Sequence, residues 1–169
     1  LACPDWPTCF GTLVPVMTGG VFWEHLHRLV AGGLVVIFIG ATYMAWRPES
    51  ERPAVRRWAL AGIGLLIVQS VFGGVTVLMR LPDAVSTTHL ALAFMFLALV
   101  TVLTVVTSPV WTVGRSPWQG VRALRGLAVG GAGLTFLQSV LGGAVRHMDA
   151  GLVCPDVPLC LGQWIPPLQ

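Results

Sequence analysis

Charge is scarce in this chain of 169 residues, and lysine is absent from it. Only 10% of the residues are charged while 55% are hydrophobic, and the mean hydropathy is +0.80. Soluble domains average about 25% charged residues, so this composition cannot supply the surface of a water-soluble fold. All ten basic residues are arginines that cluster between apolar blocks, and the net charge is +3. Membrane topology explains that basic balance better than a nucleic-acid partner, which we exclude.

The chain also lacks an initiator methionine, because it begins at Leu1 within a cysteine-containing segment. No charged stretch followed by an apolar one stands there, as a secretory leader would require. We therefore expect an excerpt of a longer protein or a processed chain.

Four apolar segments are long enough to cross a bilayer, which requires about 20 residues per helix. They cover residues 21–46, 58–79, 87–108 and 123–145. The sequence thus predicts an all-α, polytopic transmembrane bundle of four helices within residues 21–145. A first Cys loop (residues 1–20) precedes it and a second Cys loop (residues 146–169) follows it.

The arginines predict the orientation of this bundle in the membrane. Seven lie in or beside the two connections that follow the first and third segments: Arg47, Arg52, Arg56, Arg57, Arg115, Arg122 and Arg125. The other face has only Arg28, Arg80 and Arg146. Because cytoplasmic loops carry the basic excess, we predict a bacterial inner-membrane protein with both Cys loops on the outer face.

Each Cys loop holds two cysteines separated by a proline-containing turn. Cys3 and Cys9 flank PDWPT, and Cys154 and Cys160 flank PDVPL. An oxidising outer face and compact turns favour two structural disulfides, Cys3–Cys9 and Cys154–Cys160. Two alternatives stay open, namely electron exchange as dithiols and a mixed disulfide with a donor protein. Metal binding fits less well than oxidation.

The two Cys loops also form an internal repeat. LACPDWPTCFGTLVP at Leu1 recurs as LVCPDVPLCLGQWIP at Leu152, an offset of 151 residues. The chain therefore spans one period of a duplicated unit, and we predict a whole of about eight helices of which four are present. A weaker echo relates QSVFGG at Gln69 to QSVLGG at Gln138.

Ionisable side chains inside a membrane need a reason, because they are costly there. In WEHLHRL, Glu24, His27 and Arg28 are three or four residues apart and share a helix face, whereas His25 points elsewhere. The third segment contributes His89, about as far below the outer surface as His27. Two imidazoles on separate helices at one depth can be axial ligands of a haem iron. The alternative is that each histidine caps an interfacial helix end.

Further roles for these residues stay open at this point. Glu24 is placed to move a proton at a bound substrate, or it pairs with Arg28. Arg28, Arg80 and Arg146 on the outer side could bind anionic propionates, although a single outer arginine is more often only solvated. His147 is most simply a loop residue. Small residues are expected to let a flat macrocycle approach the helices: Gly32, Gly33, Gly73 and Gly74.

Five motifs in order resemble the haem A synthase family: CPDWPTC, EHLHR, TTHL, GGAVRH and AGLVCPDVPLCLGQWIP. The resemblance implies an eight-helix membrane oxidoreductase of two similar halves, of which this chain would hold helices two to five. It implies conversion of the C8 methyl of haem O into the formyl group of haem A, with water as the oxygen source. The product would supply cytochrome oxidase.

By the same resemblance, Glu24 is the glutamate important for activity, and His27 and His89 face the iron of the substrate haem. A haem b cofactor is expected in the C-terminal half, whose histidines have no counterpart here, so the fragment alone is expected to be inactive. Expected partners are the lipid bilayer, haem O synthase and a membrane electron donor or acceptor.

Three other functions would use the same residues differently. A b-type cytochrome would use the histidines without needing Glu24. A membrane thiol oxidoreductase would depend on the cysteines and not on the histidines. A purely structural subunit would depend on neither.

Overall fold

The structure is a computed structural model that describes residues 1–46, 52–112, 121–148, 154, 159–160 and 162–164. Its helices are α1 (Gly19–Ala45), α2 (Pro53–Leu78), α3 (Asp83–Thr107), the single-turn α4 (Pro109–Thr112) and α5 (Val121–His147). Four of them are long and apolar enough to cross a membrane: α1, α2, α3 and, from Leu124, α5. The predicted all-α architecture with four spanning helices is thereby confirmed. The arginines at positions 47 and 115 lie outside the described residues.

The helices extend beyond the apolar blocks that predict them. α2 begins at Pro53, five residues before its apolar block, and α3 begins at Asp83, four residues before its own. Proline suits the first turn of a helix because its missing N–H would have no partner there. Hydropathy thus marks the apolar part of each helix and leaves out the first turn, which in α2 is indicated by Pro53.

The spanning helices pack in a row in which each contacts its neighbour: α1 on α2, α2 on α3, and α3 on α5. We call the end where α1 and α3 begin, and where α2 and α5 finish, the loop end. At mid-depth the α2 backbone is approached closely, because a Cβ built on Gly62 would lie 2.6 Å from the Phe38 ring. Glycine therefore permits tight packing of α1 on α2 here.

Few side chains are buried, and large apolar ones are exposed along every spanning helix. That pattern is expected when the surrounding solvent is hydrocarbon, because exposed apolar surface then costs nothing. Hydroxyl groups on the spanning helices return to carbonyls one turn earlier, as Ser70 does to Leu66 (2.8 Å) and Thr101 to Leu97 (2.8 Å). These bonds satisfy polar groups where no water can.

Candidate functional site

The residues singled out from the sequence meet at the loop end. Glu24, His27 and Arg28 lie in the first three turns of α1, and His89 lies in the second turn of α3. The first Cys loop covers the same end, with Cys3 joined to Cys9 by a disulfide. The site therefore combines two helices and the segment that precedes them.

Glu24 fastens the first Cys loop to α1. Its Oε2 accepts hydrogen bonds from the backbone N–H groups of Ala2 (2.7 Å) and Cys3 (3.1 Å). Its Oε1 forms an ion pair with Arg28 Nη2 at 2.7 Å. All three partners are donors, which suits an ionised carboxylate because that group only accepts. The ion pair weighed from the sequence is present, together with two loop contacts that the sequence did not indicate.

Arg28 completes this attachment from the other side of the loop. Its Nη1 donates to the carbonyl oxygens of Asp5 (2.8 Å) and Thr8, while Nη2 is bonded to Glu24. The fork of the guanidinium can serve several acceptors at once. We call Glu24 and Arg28 together the loop clamp.

Within the loop, Asp5 organises the turn between the cysteines. Its carboxylate accepts from the Thr8 hydroxyl (2.5 Å) and from the N–H groups of Phe10 (2.6 Å) and Gly11 (2.8 Å). The Thr8 hydroxyl, followed by the Gly11 and Phe10 amides, holds the pKa of Asp5 below its usual value. Cys3 and Cys9 are 0% exposed, so the disulfide is shut away from solvent.

His89 is held against α2 in a defined tautomer. Its Nδ1 lies 3.0 Å from the carbonyl oxygen of Gln69. Because a carbonyl only accepts, Nδ1 must carry the proton, and in a neutral ring Nε2 then has the lone pair. A backbone carbonyl behind a histidine is the arrangement that orients metal-binding imidazoles.

His27 is exposed on α1. Below the two histidines, Phe38 and Phe96 meet edge to face, with centroids 5.1 Å apart. His27 shares a face of α1 with Phe38, and His89 shares a face of α3 with Phe96, by the 100° step per residue. We call the space between these two faces the histidine slot.

The two histidines are not level within this slot. Counted from the phenylalanine pair, His27 is eleven residues away and His89 is seven. At 1.5 Å per residue the difference amounts to roughly 6 Å along the helix axes. The equal depth expected from the sequence is therefore only approximate, because it was counted from the helix starts alone.

The glycines do not open the slot in the way expected. A Cβ on Gly73 would lie 3.0 Å from His89 Cε1, and one on Gly74 would lie 2.9 Å from Trp6 Cδ2, so protein side chains already cover both. Gly32 and Gly33 have nothing within 4 Å, but they lie more than about 100° around α1 from His27. The backbones of α1 and α3 do not pack on each other, and these two helices meet through the side chains of Phe38 and Phe96.

The chemistry of the slot fits a haem iron. Two imidazoles on separate helices face one space, and one of them presents Nε2 with a fixed lone pair. Neutral imidazole is a standard axial ligand of haem iron. His27 and His89 are the residues that would hold the iron.

Two other features lie apart from this slot. His25 is 5% exposed, and its Nδ1 has no hydrogen-bond partner among the described residues. A cavity of about 590 Å³ lies between α2, α3 and α4 at the opposite end of the bundle. Its walls are apolar and include Trp58, Met95 and Trp111, so it contains none of the candidate residues.

The second Cys loop repeats the turn of the first. Cys160 N–H donates to the Gln163 carbonyl (2.8 Å) and Gln163 N–H donates back (3.1 Å), as Cys9 and Thr12 do (3.0 and 3.2 Å). A disulfide joins Cys154 to Cys160. Among the described residues, the two loops thus share the disulfide and the backbone pairing of the second cysteine with the residue three positions later.

These features define a class, that of multi-pass α-helical membrane proteins with a histidine pair and a clamped disulfide loop at one end. A family model described as cytochrome oxidase assembly protein (COX15-CtaA) matches residues 16–169, and the chain belongs to that family.

Relatives of known name agree with this membership. The chain is similar to heme A synthase of Symbiobacterium thermophilum, with 33% identity over 97% of this chain and 55% of the relative. It is similar to heme A synthase of Halalkalibacterium halodurans (28%, 97% and 55%) and of Shewanella oneidensis (28%, 98% and 54%). The chain thus spans about half the length of these relatives. No solved structure matches it.

Proposed function

We propose that the protein is part of a haem A synthase that oxidises the C8 methyl of haem O to a formyl group. The observation that carries this proposal is the histidine slot, in which the Gln69 carbonyl holds His89 with Nε2 as its lone-pair nitrogen and His27 lies on the slot-facing side of α1. The relatives that match nearly the whole chain carry the name heme A synthase. An isolated histidine pair would suit many cytochromes, and family membership selects among them.

The overall reaction converts a methyl group and one water into a formyl group, four protons and four electrons. A bound haem supplies the iron that His27 and His89 hold and the methyl group that reacts. The electrons would leave to a membrane electron acceptor, and the protons need a path from the reacting carbon. The residues of this chain would therefore bind, orient and move protons.

Glu24 is the proposed proton carrier, because its carboxylate lies one turn from His27. Its oxygens are engaged by the loop amides and by Arg28. To accept a proton, the carboxylate must exchange at least one of these donors for the substrate side. The Glu24 carboxylate could then not transfer a proton and keep all of its hydrogen bonds to the first Cys loop at the same time.

Arg28 is the proposed contact for a haem propionate. Its Nη1 is taken up by two loop carbonyls, and one Nη2 hydrogen by Glu24. A guanidinium has five N–H groups, so the propionate would use Nε–H or the remaining Nη2 hydrogen. Arg28 would then join loop, catalytic carboxylate and substrate.

The wider setting is part of the same proposal. The positive-inside bias of the arginines supports an orientation with both Cys loops outside a bacterial inner membrane. A haem b in the part of the relatives that this chain does not cover belongs to the same proposal. Haem O synthase is a proposed source of substrate.

The test is haem extraction and chromatography from cells that express the full-length protein with a source of haem O. We expect wild type to make haem A and Glu24→Ala to make at least about a hundredfold less, the low end for loss of a general acid or base. His27→Ala should lose haem A together with substrate retention.

The matched control is His147→Ala, which removes a half-exposed histidine at the end of α5 and should leave the yield unchanged. A low-spin b-type spectrum without any haem A would instead support a cytochrome. Wild-type yield from Glu24→Ala would remove that residue from the reaction.

A further inference from the structure

Two aromatic rings pack against the two consecutive glycines of α2, Gly73 and Gly74. Gly73 faces the His89 imidazole, and Gly74 faces the Trp6 indole of the first Cys loop. One residue apart on a helix means about 100° around it, so the two rings occupy adjacent faces of α2. A histidine from α3 and a loop aromatic thus both pack directly on the backbone of α2.

The Gly73 contact bears on the coordinating edge of His89. A Cβ there would lie 3.0 Å from Cε1, 3.6 Å from Nδ1 and 3.7 Å from Nε2. Cε1 stands between the two nitrogens, so the added carbon would press on the ring between its hydrogen-bonded and its lone-pair nitrogen. The ring would have to move away from α2, and the 3.0 Å bond to the Gln69 carbonyl would lengthen.

A similar motif in α5 allows the surroundings of Gly73 to be compared with those of a glycine that no histidine contacts. QSVFGG at Gln69 corresponds to QSVLGG at Gln138, which aligns Gly73 with Gly142. A Cβ on Gly142 would meet nothing within 4 Å. Two glycines whose four preceding residues differ only by Phe72 against Leu141 therefore differ in whether an imidazole packs against them.

We propose that Gly73 is a positioning residue for the haem-ligating His89, because only a residue without a side chain lets the imidazole reach the Gln69 carbonyl and present Nε2 to the slot. This inference rests on the proposed haem site. Gly73 itself touches no substrate and acts through His89.

The experiment measures haem binding to the full-length protein in detergent, with the His89-dependent signal defined by comparison with His89→Ala. We expect Gly73→Ala to weaken haem affinity about tenfold, the low end for loss of an outer-shell partner of a metal ligand. Gly73→Val should abolish the low-spin signal of this site. The thermal unfolding of the haem-free protein reports whether each variant is folded.

The matched controls are Gly142→Ala and Gly142→Val, which make the same changes at the corresponding glycine of α5. They should leave haem affinity within about twofold and the spectrum unchanged. Equal affinity in wild type and both Gly73 variants would overturn the inference, as would equal losses from the Gly142 variants. Absence of any His89-dependent signal in wild type would instead overturn the proposed haem site on which it rests.

Discussion

The two Cys loops have the same turn but differ in how they are held. Gly11 and Gly162 both have positive φ, 70° and 73°, and both loops pair the second cysteine with the residue three positions later. Yet Cys3 and Cys9 are fully buried, whereas Cys154 is exposed. The cysteine motif is therefore sufficient to form the turn, whereas the burial of a disulfide depends on contacts with other parts of the chain.

The source of that burial is the helix after the first Cys loop. Glu24 and Arg28 bind four backbone groups of the loop, and Trp6 rests on Gly74 of α2. Val157 replaces Trp6 in the second loop. The turn of the disulfide loop consequently does not depend on helix contacts, and in the first Cys loop the neighbouring helices bind and bury it.

The largest expected effect comes from breaking the loop clamp. In wild type, dithiothreitol should reduce Cys154–Cys160 at least about tenfold faster than Cys3–Cys9, since reduction needs access to sulfur. Arg28→Ala removes three hydrogen bonds of a charged group and should weaken docking by on the order of 2 kcal/mol. That equals about thirtyfold in rate, so the two disulfides should become alike.

Alkylation and mass spectrometry at timed intervals would follow each disulfide separately. Arg146→Ala is the matched control, because Arg146 is an exposed arginine at the same end of the bundle. Equal reduction rates of the two disulfides in wild type would refute the comparison itself.

A smaller, symmetric effect is expected at the two turn glycines. Alanine at a positive φ costs about 1 kcal/mol, so Gly11→Ala and Gly162→Ala should each shift the disulfide equilibrium with glutathione about fivefold. Glycine has no such cost at these positions. Because the turns are alike, the two shifts should agree within about twofold, and a shift in only one loop would show that the turns differ.

The smallest expected effect is a pH dependence set by Asp5. Its pKa is lowered in the folded loop by the Thr8 hydroxyl and the Gly11 and Phe10 amides. The stability it contributes is therefore present above the ordinary aspartate value near 3.9, and it is lost as pH falls through the lower folded value.

Hydrogen exchange of the Phe10 and Gly11 amides should accelerate in that acidic range after correction for intrinsic rates. Asp5→Asn should remove the pH dependence. If the second loop uses the same turn chemistry, Asp156→Asn should have the corresponding effect there, although position 156 lies outside the described residues.

The number and type of the helices could be predicted because each apolar block exceeds the thickness of a bilayer core. His27 and His89 are also conspicuous in the sequence, since an imidazole in an apolar helix is rare, and their role as a haem-binding pair stays a prediction. The hydrogen-bond partner of His89 could not be predicted, because it is the backbone carbonyl of Gln69. Every residue has such a carbonyl, so the sequence does not indicate which one is the acceptor.

Only part of the loop clamp could be predicted from the sequence. The four-residue spacing of Glu24 and Arg28 left an ion pair as one of two alternatives, and that ion pair is present. The contacts to Ala2, Cys3, Asp5 and Thr8 depend on how the loop folds back over α1. Likewise the glycines of α2 indicated that another group comes close to the helix backbone. Only the structure shows that this group is the His89 ring at Gly73 and the Trp6 ring at Gly74.

The packing of the helices in a row has a consequence for turnover. α1 and α3 are joined through α2 and, side chain to side chain, through Phe38 and Phe96. A rigid planar molecule could move in or out between the two histidines without parting any pair of packed helices. Entry of a flat ligand between α1 and α3 would then require rotation of side chains or movement of the first Cys loop, with the packing of the helices left intact.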